Sequence, residues 1–551
     1  MTEIHVGDEA HALLSRADFI EEWTALYAGC LWATAGQHPE FVRTWYRIYR
    51  GVHEPVLAVS RAPSGALAGV LPLVELDGRL THAAPDDCPY HVWISAPDLG
   101  NEFMPDAMVA LDAALGPMRL ELCFLPPSTP RAWLEGRSPA ASRAELAFAS
   151  RRVLRVDNPD AVREYVRGKS RLRTTMGKLK RTGNVRFRRV RAPHEIASVL
   201  AACEPMFEVR YGAMHGILPF RDDPLRRKFL LAQAEVPGLM HVTVLERDGE
   251  ILAAHMGPAG KRELSISGIV YSEFEARYSP GALLLLELAV LLSQEGYELL
   301  DFTPGDDEYR ARFSTTNEPV YGLTLHADRL RREARRVQTA IQNVARSALS
   351  RLPGQSSSSL SRLSRELQEG VVQDPDAGPP GPAEPPAPII VLRVPAELER
   401  VQRDGVRENT LDELTRYSGT RSSYIALLRS AMSHIRAGGR MFTRTRDGTL
   451  ESIAFLVPAH AFGAGHGLPA GASVICEIDR LSGASESWLE DVVGALEHHV
   501  QGDLYVMITD SMLAERLKAR GFTAVTSARL RPLELPTHGA SEGEAVSNAG
   551  G

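Results

Sequence analysis

The sequence predicts an α/β protein, of the α+β kind with mixed sheets, built from repeated units. Three observations point there. Period-two apolar runs alternate along the chain with runs of helical period. The order strand, two helices, three antiparallel strands, helix, strand, helix, strand occurs over 185–327 and again over 389–535, and less completely over the first 157 residues. A stretch containing SSSS and then DPDAGPPGPAEPPAP, too poor in apolar residues to pack, separates the last two copies. The 551 residues also exceed the roughly 250–300 that one core ordinarily fills. The expected divisions are an incomplete N-terminal unit over 15–157, a central unit over 158–352 that ends in an amphipathic helix, a linker over 353–388, a C-terminal unit over 389–536 and a disordered tail over 537–551.

Helical periodicity over 17–30 and 38–50 sets Phe19, Trp23 and Tyr27, then Phe41, Trp45 and Tyr49, at four-residue spacing. Such stripes are more often core than ligand box. Strands are expected at 55–60 and 67–76, joined by the hairpin signal Ala62-Pro63-Ser64-Gly65, and again at 79–84 and 91–95. A helix from Asn101 to Leu115, a strand from Arg119 to Leu125, a short helix near Arg131 to Leu134 and a strand at Arg152 to Val156 follow.

From Arg163 to Arg191 twelve basic residues stand against Glu164 alone, on a helix and the strand after it. Two readings stay open: a seat for phosphates of a nucleotide, a lipid pyrophosphate or RNA, and a solvated face whose arginines pair with acids elsewhere. Helices at 193–213 and 222–235 lead to a strand pair, 240–246 and 250–256, that turns at Arg247-Asp248-Gly249. A strand from Leu264 to Tyr271, a helix from Ala282 to Leu292 and strands at 299–302 and 319–326 complete the unit. The run Leu330, Ala334, Val337, Ile341, Val344, Ala348 puts arginines on its other side. It can pack on the core, pair with a partner helix, or give 328–352 a peripheral association with anionic lipid. Past the linker come a strand at 389–394, helices at 396–416 and 421–436, a hairpin of 440–446 with 451–457, a strand at 473–479, and helix, strand, helix and strand to the end.

Composition excludes several classes. With 44% apolar and 24% charged residues and a net charge of -7, the chain has no bulk affinity for DNA or membrane. Its five scattered cysteines form no CxxC pair, so neither a zinc site nor a disulfide framework is expected, and no metal. No apolar run approaches the ~18 residues of a membrane span, and the N-terminus lacks a basic region followed by an apolar core. A reducing cytoplasm is the expected location.

The stretch from Arg262 to Arg310 carries the chemistry. A strand, the turn Ser279-Pro280-Gly281 and an immediate helix expose orphan N–H groups and the positive end of a helix dipole, which suits phosphate. An ordinary strand-helix-strand unit, whose Ser-Pro-Gly is only a helix start, is the alternative. The motifs Tyr278-Ser-Pro-Gly281-Ala-Leu283-Leu284, Glu295-Gly296-Tyr297, Asp301-Phe302 and Gly305-Asp-Asp-Glu-Tyr309-Arg310 follow in series. With the order of elements they resemble the GNAT (Gcn5-related N-acetyltransferase) superfamily, and more specifically the CelD-like family of cellulose and exopolysaccharide synthesis. Arg310 stands where that family carries lysine. Lys169-Ser-Arg-Leu-Arg173, Leu179-Lys-Arg-Thr-Gly183 and Gly69-Val-Leu-Pro-Leu73 extend the resemblance over about residues 15–327. In the C-terminal unit, Arg480-Leu-Ser-Gly483-Ala-Ser485 and Ala514 to Phe522 resemble ordinary GNAT proteins, but Leu517 replaces their tyrosine, so that unit is either catalytic or a degenerate copy.

The resemblance implies an acyl-CoA-dependent acyltransferase, with acetyl-CoA as co-substrate. Its acceptor would be an amino or hydroxyl group of a small-molecule or lipid-linked sugar, an envelope or exopolysaccharide precursor. Acyl transfer needs an anchored pyrophosphate, a base, and a donor for the developing negative charge. Tyr278, Ser279, Gly281, Ala282 and Leu283 are the CoA-binding candidates, and Arg480, Gly483 and Ser485 a second CoA site. His255, Asp301 and Tyr309 are the catalytic candidates; Asp306, Arg310, Arg171 and Arg173 are those for binding substrate. His255 is otherwise a hydrogen-bonded core histidine, Asp301 a cap, and Asp306 with Asp307 a helix N-cap. Two rival readings remain: a FemABX-like aminoacyltransferase using aminoacyl-tRNA, whose phosphates would suit the basic segment, and a non-catalytic scaffold of a polysaccharide-synthesis machine. The oligomeric state is left open.

Overall fold

A computed structural model describes residues 2–136, 138–266, 268–305, 308–328, 389–395, 405–463, 466–469, 471–476, 486–496, 503–526, 530, 531 and 533. The chain begins with β1 (Thr2–Val6), α1 (Asp8–Leu14), α2 (Ala17–Gly29) and α3 (Pro39–Ile48). Strands β2 (Pro55–Arg61), β3 (Leu67–Leu76), β4 (Arg79–His82) and β5 (Ile94–Ser95) precede α4 (Phe103–Leu115), β6 (Arg119–Leu125), α5 (Pro139–Arg143) and β7 (Ala144–Arg155). Next come α6 (Pro159–Gly168), α7 (Ser170–Lys180), β8 (Val185–Val190), α8 (Pro193–His215) and α9 (Arg226–Ala234). Strands β9 (Met240–Arg247), β10 (Glu250–Pro258), β11 (Glu263–Ser265) and β12 (Ile269–Tyr271) lead to α10 (Pro280–Gln294), β13 (Leu299–Pro304), α11 (Glu308–Phe313) and β14 (Thr316–Leu325). The C-terminal part holds β15 (Ile390–Arg393), β16 (Arg407–Glu408), α12 (Arg421–Arg436), β17 (Arg440–Arg446), β18 (Thr449–Pro458) and β19 (Ser473–Cys476). It ends with α13 (Glu486–Ala495), β20 (Leu504–Ile508), α14 (Ser511–Ala519) and β21 (Thr523–Ala524). Among the described residues no helix is long and apolar enough to cross a membrane. The mixed α/β class read from the sequence is the observed one.

The chain divides into two compact units, Met1–Arg151 with Glu318–Pro386, and Arg152–Asn317 with Ala387–Gly551. The first is built on strands ordered β1-β2-β3-β4-β6-β14-β7, with β5 beside β3. Phe19, Trp23, Phe41 and Trp45 are buried there, as four-residue spacing on an amphipathic helix requires. Their polar atoms are matched locally: Trp23 Nε1 donates to the Gln37 carbonyl at 3.2 Å. The sequence reading began at residue 15 and missed β1 and α1. β1 is a five-residue strand paired only with β2, too short and too polar to stand out by period.

In the second unit a four-stranded sheet runs β12-β10-β9-β8. Alternation sorts its side chains. Val190, Val242, Val244, Ala254 and Met256 pack with Ile196, Val199 and Leu200 of α8, while Leu245 and Ala253 face the leucines of α10 with Leu172 and Leu179 of α7. The basic segment holds two helices and β8 rather than one helix and a strand, because Gly168 and Lys169 break the periodicity. A seven-stranded sheet, β16-β17-β18-β19-β20-β15-β21, makes the C-terminal part. Its α12 shares a core with α8, where Val209, Ala213 and Leu218 meet Tyr424, Ile425 and Leu428. A Cβ on Gly212 would lie 2.4 Å from Leu428 Cδ1, so the two helices approach where a side chain is missing. The helix expected over 396–416 is not formed in its described part, which holds β16 and a 3-10 turn at Leu411–Arg416. Apart from Asp328, the amphipathic run 328–352, the linker 353–388 and the tail 537–551 lie outside the described residues.

Candidate active site

The strand expected from Leu264 to Tyr271 is broken in two. β11 runs parallel to β13, with Ser265 opposite Asp301, and that ladder ends where Ile266 N–H donates to the Asp301 carbonyl at 2.9 Å. β12 pairs instead with β10, Ala253 opposite Tyr271 and His255 opposite Ile269. Between them Met256 N–H donates to the Gly268 carbonyl at 2.8 Å. A Cβ on Gly268 would fall 1.9 Å from the Met256 carbonyl oxygen, so only glycine permits the change of partner. Past this point no ladder bond among the described residues joins 269–271 to 302–304, and the strands fork. In the C-terminal sheet, Ser473, Val474 and Ile475 are paired with β18 and β20 at once, and Cys476, the last described residue of β19, with β18 alone.

His255 and Asp301 stand on the two sides of the fork, and both are fully buried. His255 Nε2 lies 3.1 Å from the Ser265 carbonyl. Ser265 offers only an acceptor there, so Nε2 carries the proton and Nδ1 the lone pair. Nδ1 is buried with no hydrogen-bond partner among the described residues. Burial, opposed by the bond to Ser265, pulls the His255 pKa down to about 4, so the ring is neutral at neutral pH. Its neighbour His241, 5.9 Å away between ring centres, donates from Nε2 to Glu295 at 3.1 Å. Burial first, then the positive charge of Arg189, lowers the His241 pKa.

Asp301 Oδ1 accepts from Thr303 N–H at 2.8 Å. Thr303 is held at φ 62°, a left-handed conformation that a β-branched residue rarely adopts. Such strain, of order 1–3 kcal/mol, persists only where the surroundings impose it. Arg310 turns back over Gly305 and donates to the Pro304 carbonyl. Tyr309 is half-buried, its ring 5.1 Å from that of Phe313. Asp306, with Asp307, and Arg480, Gly483 and Ser485 lie outside the described residues. Leu517 is buried among the leucines and valines of the C-terminal sheet.

The other lip of the fork leads to the helix start. A 3-10 turn, Glu273–Tyr278, follows β12, and Ser279 holds the N-cap position of α10 in the left-handed region, at φ 48°, with no side-chain cap bond. Ser279 is exposed and Tyr278 half-buried, whereas 280 to 286 are buried. Ala282 and Leu283 N–H both reach the Ser279 carbonyl, at 3.0 and 3.1 Å, and Pro280 has no N–H. Of the first-turn donors, Gly281 N–H is the one that meets no acceptor among the described residues. Gly281 has a packing reason as well: a Cβ there would lie 2.9 Å from Tyr271 Cδ1. The ring, not a ligand, occupies that side of its backbone.

Helix α7 packs Leu172 and Leu179 inward beside α10 and the 273–278 turn, and turns Arg171 and Arg173 outward with its other cations. Arg163, Arg188, Arg189 and Arg191 have carboxylate partners. Among the described residues, Arg167, Arg171, Arg173, Lys178, Lys180, Arg181 and Arg186 have none. Pairing with acids is thus seen at Arg163 and along the end of β8, whereas the cations of α7 face solvent without a carboxylate partner among the described residues.

Sequence reasoning missed Gly268, Thr303, Tyr271 and the acid Glu273. Only Gly268 had a signal, a glycine inside a strand pattern. The others are ordinary residues whose weight comes from what folding sets beside them.

Residues 167–311 match the family model described as the acetyltransferase (GNAT) domain. None of the curated proteins compared with the chain matches it. Among solved structures, a conserved protein of unknown function from Bacteroides thetaiotaomicron VPI-5482 aligns at 13% identity over 56% of this chain and 97% of its own, with a TM-score of 0.40. FemX aligns at 10% identity over 55% and 95%, TM-score 0.38. A tandem GNAT protein from the clavulanic acid biosynthesis pathway aligns at 15% identity over 59% and 99%, TM-score 0.32. The family model, matched over the stretch that holds the forked strand and the capped helix after it, identifies residues 167–311 as a GNAT-type acyltransferase domain.

Proposed function

We propose that the central segment transfers an acyl group, acetyl in the first instance, from acyl-CoA to an amino or hydroxyl group of a sugar-like or cell-envelope precursor. The observation that carries this reading is the fork itself. One strand leaves β13, changes partner at Gly268, and delivers after a single turn the start of a buried helix. When bound, the thioester supplies the activated acyl group. Gly281 N–H, the Ser279 hydroxyl, the positive end of α10 and the unpaired cations of α7 form a seat for pyrophosphate. The edge of β12 left unpaired beyond the fork offers backbone groups to an extended arm.

Asp301 and Tyr309 are the base and acid of this reading. His255 presents Nε2–H toward Ser265, so it serves as base only through Nδ1; otherwise its bond to Ser265 pins the fork. A sugar-like acceptor is favoured by the motif resemblance alone. The basic outer face of α7 favours, as a second reading, a tRNA-borne acyl donor.

Ser279→Asp tests the seat. Aspartate tolerates the left-handed region, and Ser279 makes no side-chain cap bond that the change would lose, so the helix should keep its stability to within a few tenths of a kcal/mol. The same carboxylate would occupy the phosphate position. Titration calorimetry with acetyl-CoA on the full chain should give a Kd for the natural protein in the roughly 1 μM–1 mM range of enzyme substrates, and a loss of about tenfold or more for the variant. Equal binding by both proteins would remove Ser279 from the seat. No binding of any CoA ester by the natural protein, with binding of charged tRNA, would replace the first reading by the second.

A further inference from the structure

The turn between β12 and α10 is tied to the C-terminal part of the chain. Glu273, the first residue of that turn, has a side chain only 2% exposed. It lies between two guanidinium groups from different segments. Arg210 of α8 donates from Nη1 to Glu273 Oε1 at 2.9 Å and to the Tyr271 hydroxyl at 2.6 Å, with its Cζ 4.5 Å from the centre of the Tyr271 ring. Arg436, the last residue of α12, donates from Nε to Oε2 at 3.0 Å and from Nη2 to Oε1 at 3.2 Å. Two-pronged pairing fixes a carboxylate in orientation as well as place. Beside it Phe274 packs against the core that α8 shares with α12.

The chain of contact continues to the helix start. Tyr271, whose hydroxyl Arg210 holds, backs Gly281 so closely that a Cβ there would touch the ring. A buried carboxylate without its partner costs several kcal/mol, so Glu273 stays in place only while the arginines do. Arg210 belongs to the same segment as the site; Arg436 does not. Its contribution makes the geometry around Gly281 depend on the docking of α12.

We propose that the C-terminal segment acts on the site as a brace, with Arg436 a positioning residue that sets Glu273, Tyr271 and hence the start of α10 in the geometry that takes an anionic ligand. This rests on the acyl-CoA reading for the identity of the ligand, but not for the existence of the brace. It gives a physical role to a segment whose sequence left catalysis and degeneracy open.

The test uses full-length protein carrying Arg436→Met, Arg436→Lys or, as control, Arg421→Met. Arg421, at the start of α12, pairs with Asp222 in the turn after α8 at 2.8 Å and does not touch Glu273. Acetyl-CoA affinity is read by calorimetry and amide exchange over 271–283 by mass spectrometry. The expected results are a loss of affinity of about tenfold in Arg436→Met, within the usual range of coupling between sites, and faster exchange over 271–283. Arg436→Lys, which keeps the charge but loses the fork, should recover part of both, and Arg421→Met should match the natural protein in both. The brace is overturned if Arg436→Met binds within twofold of the natural protein and leaves the exchange unchanged, or if Arg421→Met does the same damage. Should Arg436→Met not fold, Arg436→Lys and Glu273→Gln carry the same comparison. If the natural protein binds no CoA ester, the acyl-CoA reading fails, and the exchange of 271–283 still decides the brace.

Discussion

Acidification should loosen the strands around the fork, and His255 allows the size of the effect to be worked out. Its pKa in the folded chain is about 4, held there first by burial, against 6.5 for an ordinary histidine. Below pH 6.5 the unfolded chain therefore binds a proton that the folded one refuses. The stability contributed by a neutral His255 is complete above that pH and is lost as pH falls toward 4. Between pH 7 and pH 5 the loss comes to about 2 kcal/mol, nearly 1.4 kcal/mol for each pH unit below 6.5. His255→Gln provides the comparison, because an amide can still donate to the Ser265 carbonyl but does not titrate. His241 remains in both proteins, so its own protonation cancels to first order. The assay is amide exchange of peptides from β9 and β10 at pH 7 and pH 5, corrected for intrinsic rates, which gives the opening free energy of those strands. The natural protein should lose about 2 kcal/mol more than His255→Gln over that interval. Identical pH dependence in the two proteins would mean that His255 is not a buried neutral ring, and the reading of its tautomer would fall with it.

Two further outcomes follow from the packing and charge around the site. Gly281→Ala should be close to neutral alone, because about 1 kcal/mol gained in helix propensity is offset by a similar cost of pressing on Tyr271. In a Tyr271→Ala background the same change should stabilise, giving a coupling of about 1 kcal/mol in urea unfolding; a coupling under ~0.3 kcal/mol would refute the contact. Reversing Lys178 and Arg181 to glutamate should weaken acetyl-CoA binding several-fold at low salt and less at high salt. Unchanged affinity with an unchanged salt dependence would show α7 to be a solvated face.

Much of the frame was legible from residues alone, for a common reason: periodicity, turn chemistry and helix starts act over a few neighbours. The stripes Phe19-Trp23-Tyr27 and Phe41-Trp45-Tyr49 could be assigned to a core because helical spacing puts them on one face. The turns at Gly65 and Gly249 and the start of α10 at Pro280 were legible for the same kind of reason. β1 was lost because a short, half-polar edge strand has no such signature.

What the site is made of was decided elsewhere. His255 and Asp301 had been picked out singly as titratable groups on apolar strands. That they flank one fork depends on Ser265 of β11 pairing with β13 while Ile269 of β12, four residues later in the chain, pairs with β10. Gly281 stands in the sequence as a CoA-binding candidate, and only the fold sets Tyr271 against it. Glu273, Arg210 and Arg436 come from positions up to 226 residues apart in number, so no local pattern could have joined them. Sequence alone determined most of the segments that become strands and helices, though not β1, α1 or the break at Gly268, and where a helix would offer its N-terminus, since those are short-range steric and hydrogen-bonding choices. Which strand parts from which, and which arginines hold the turn between them, was settled by burial: a carboxylate and two imidazoles inside a core must find partners, and only the tertiary structure brings those partners to them.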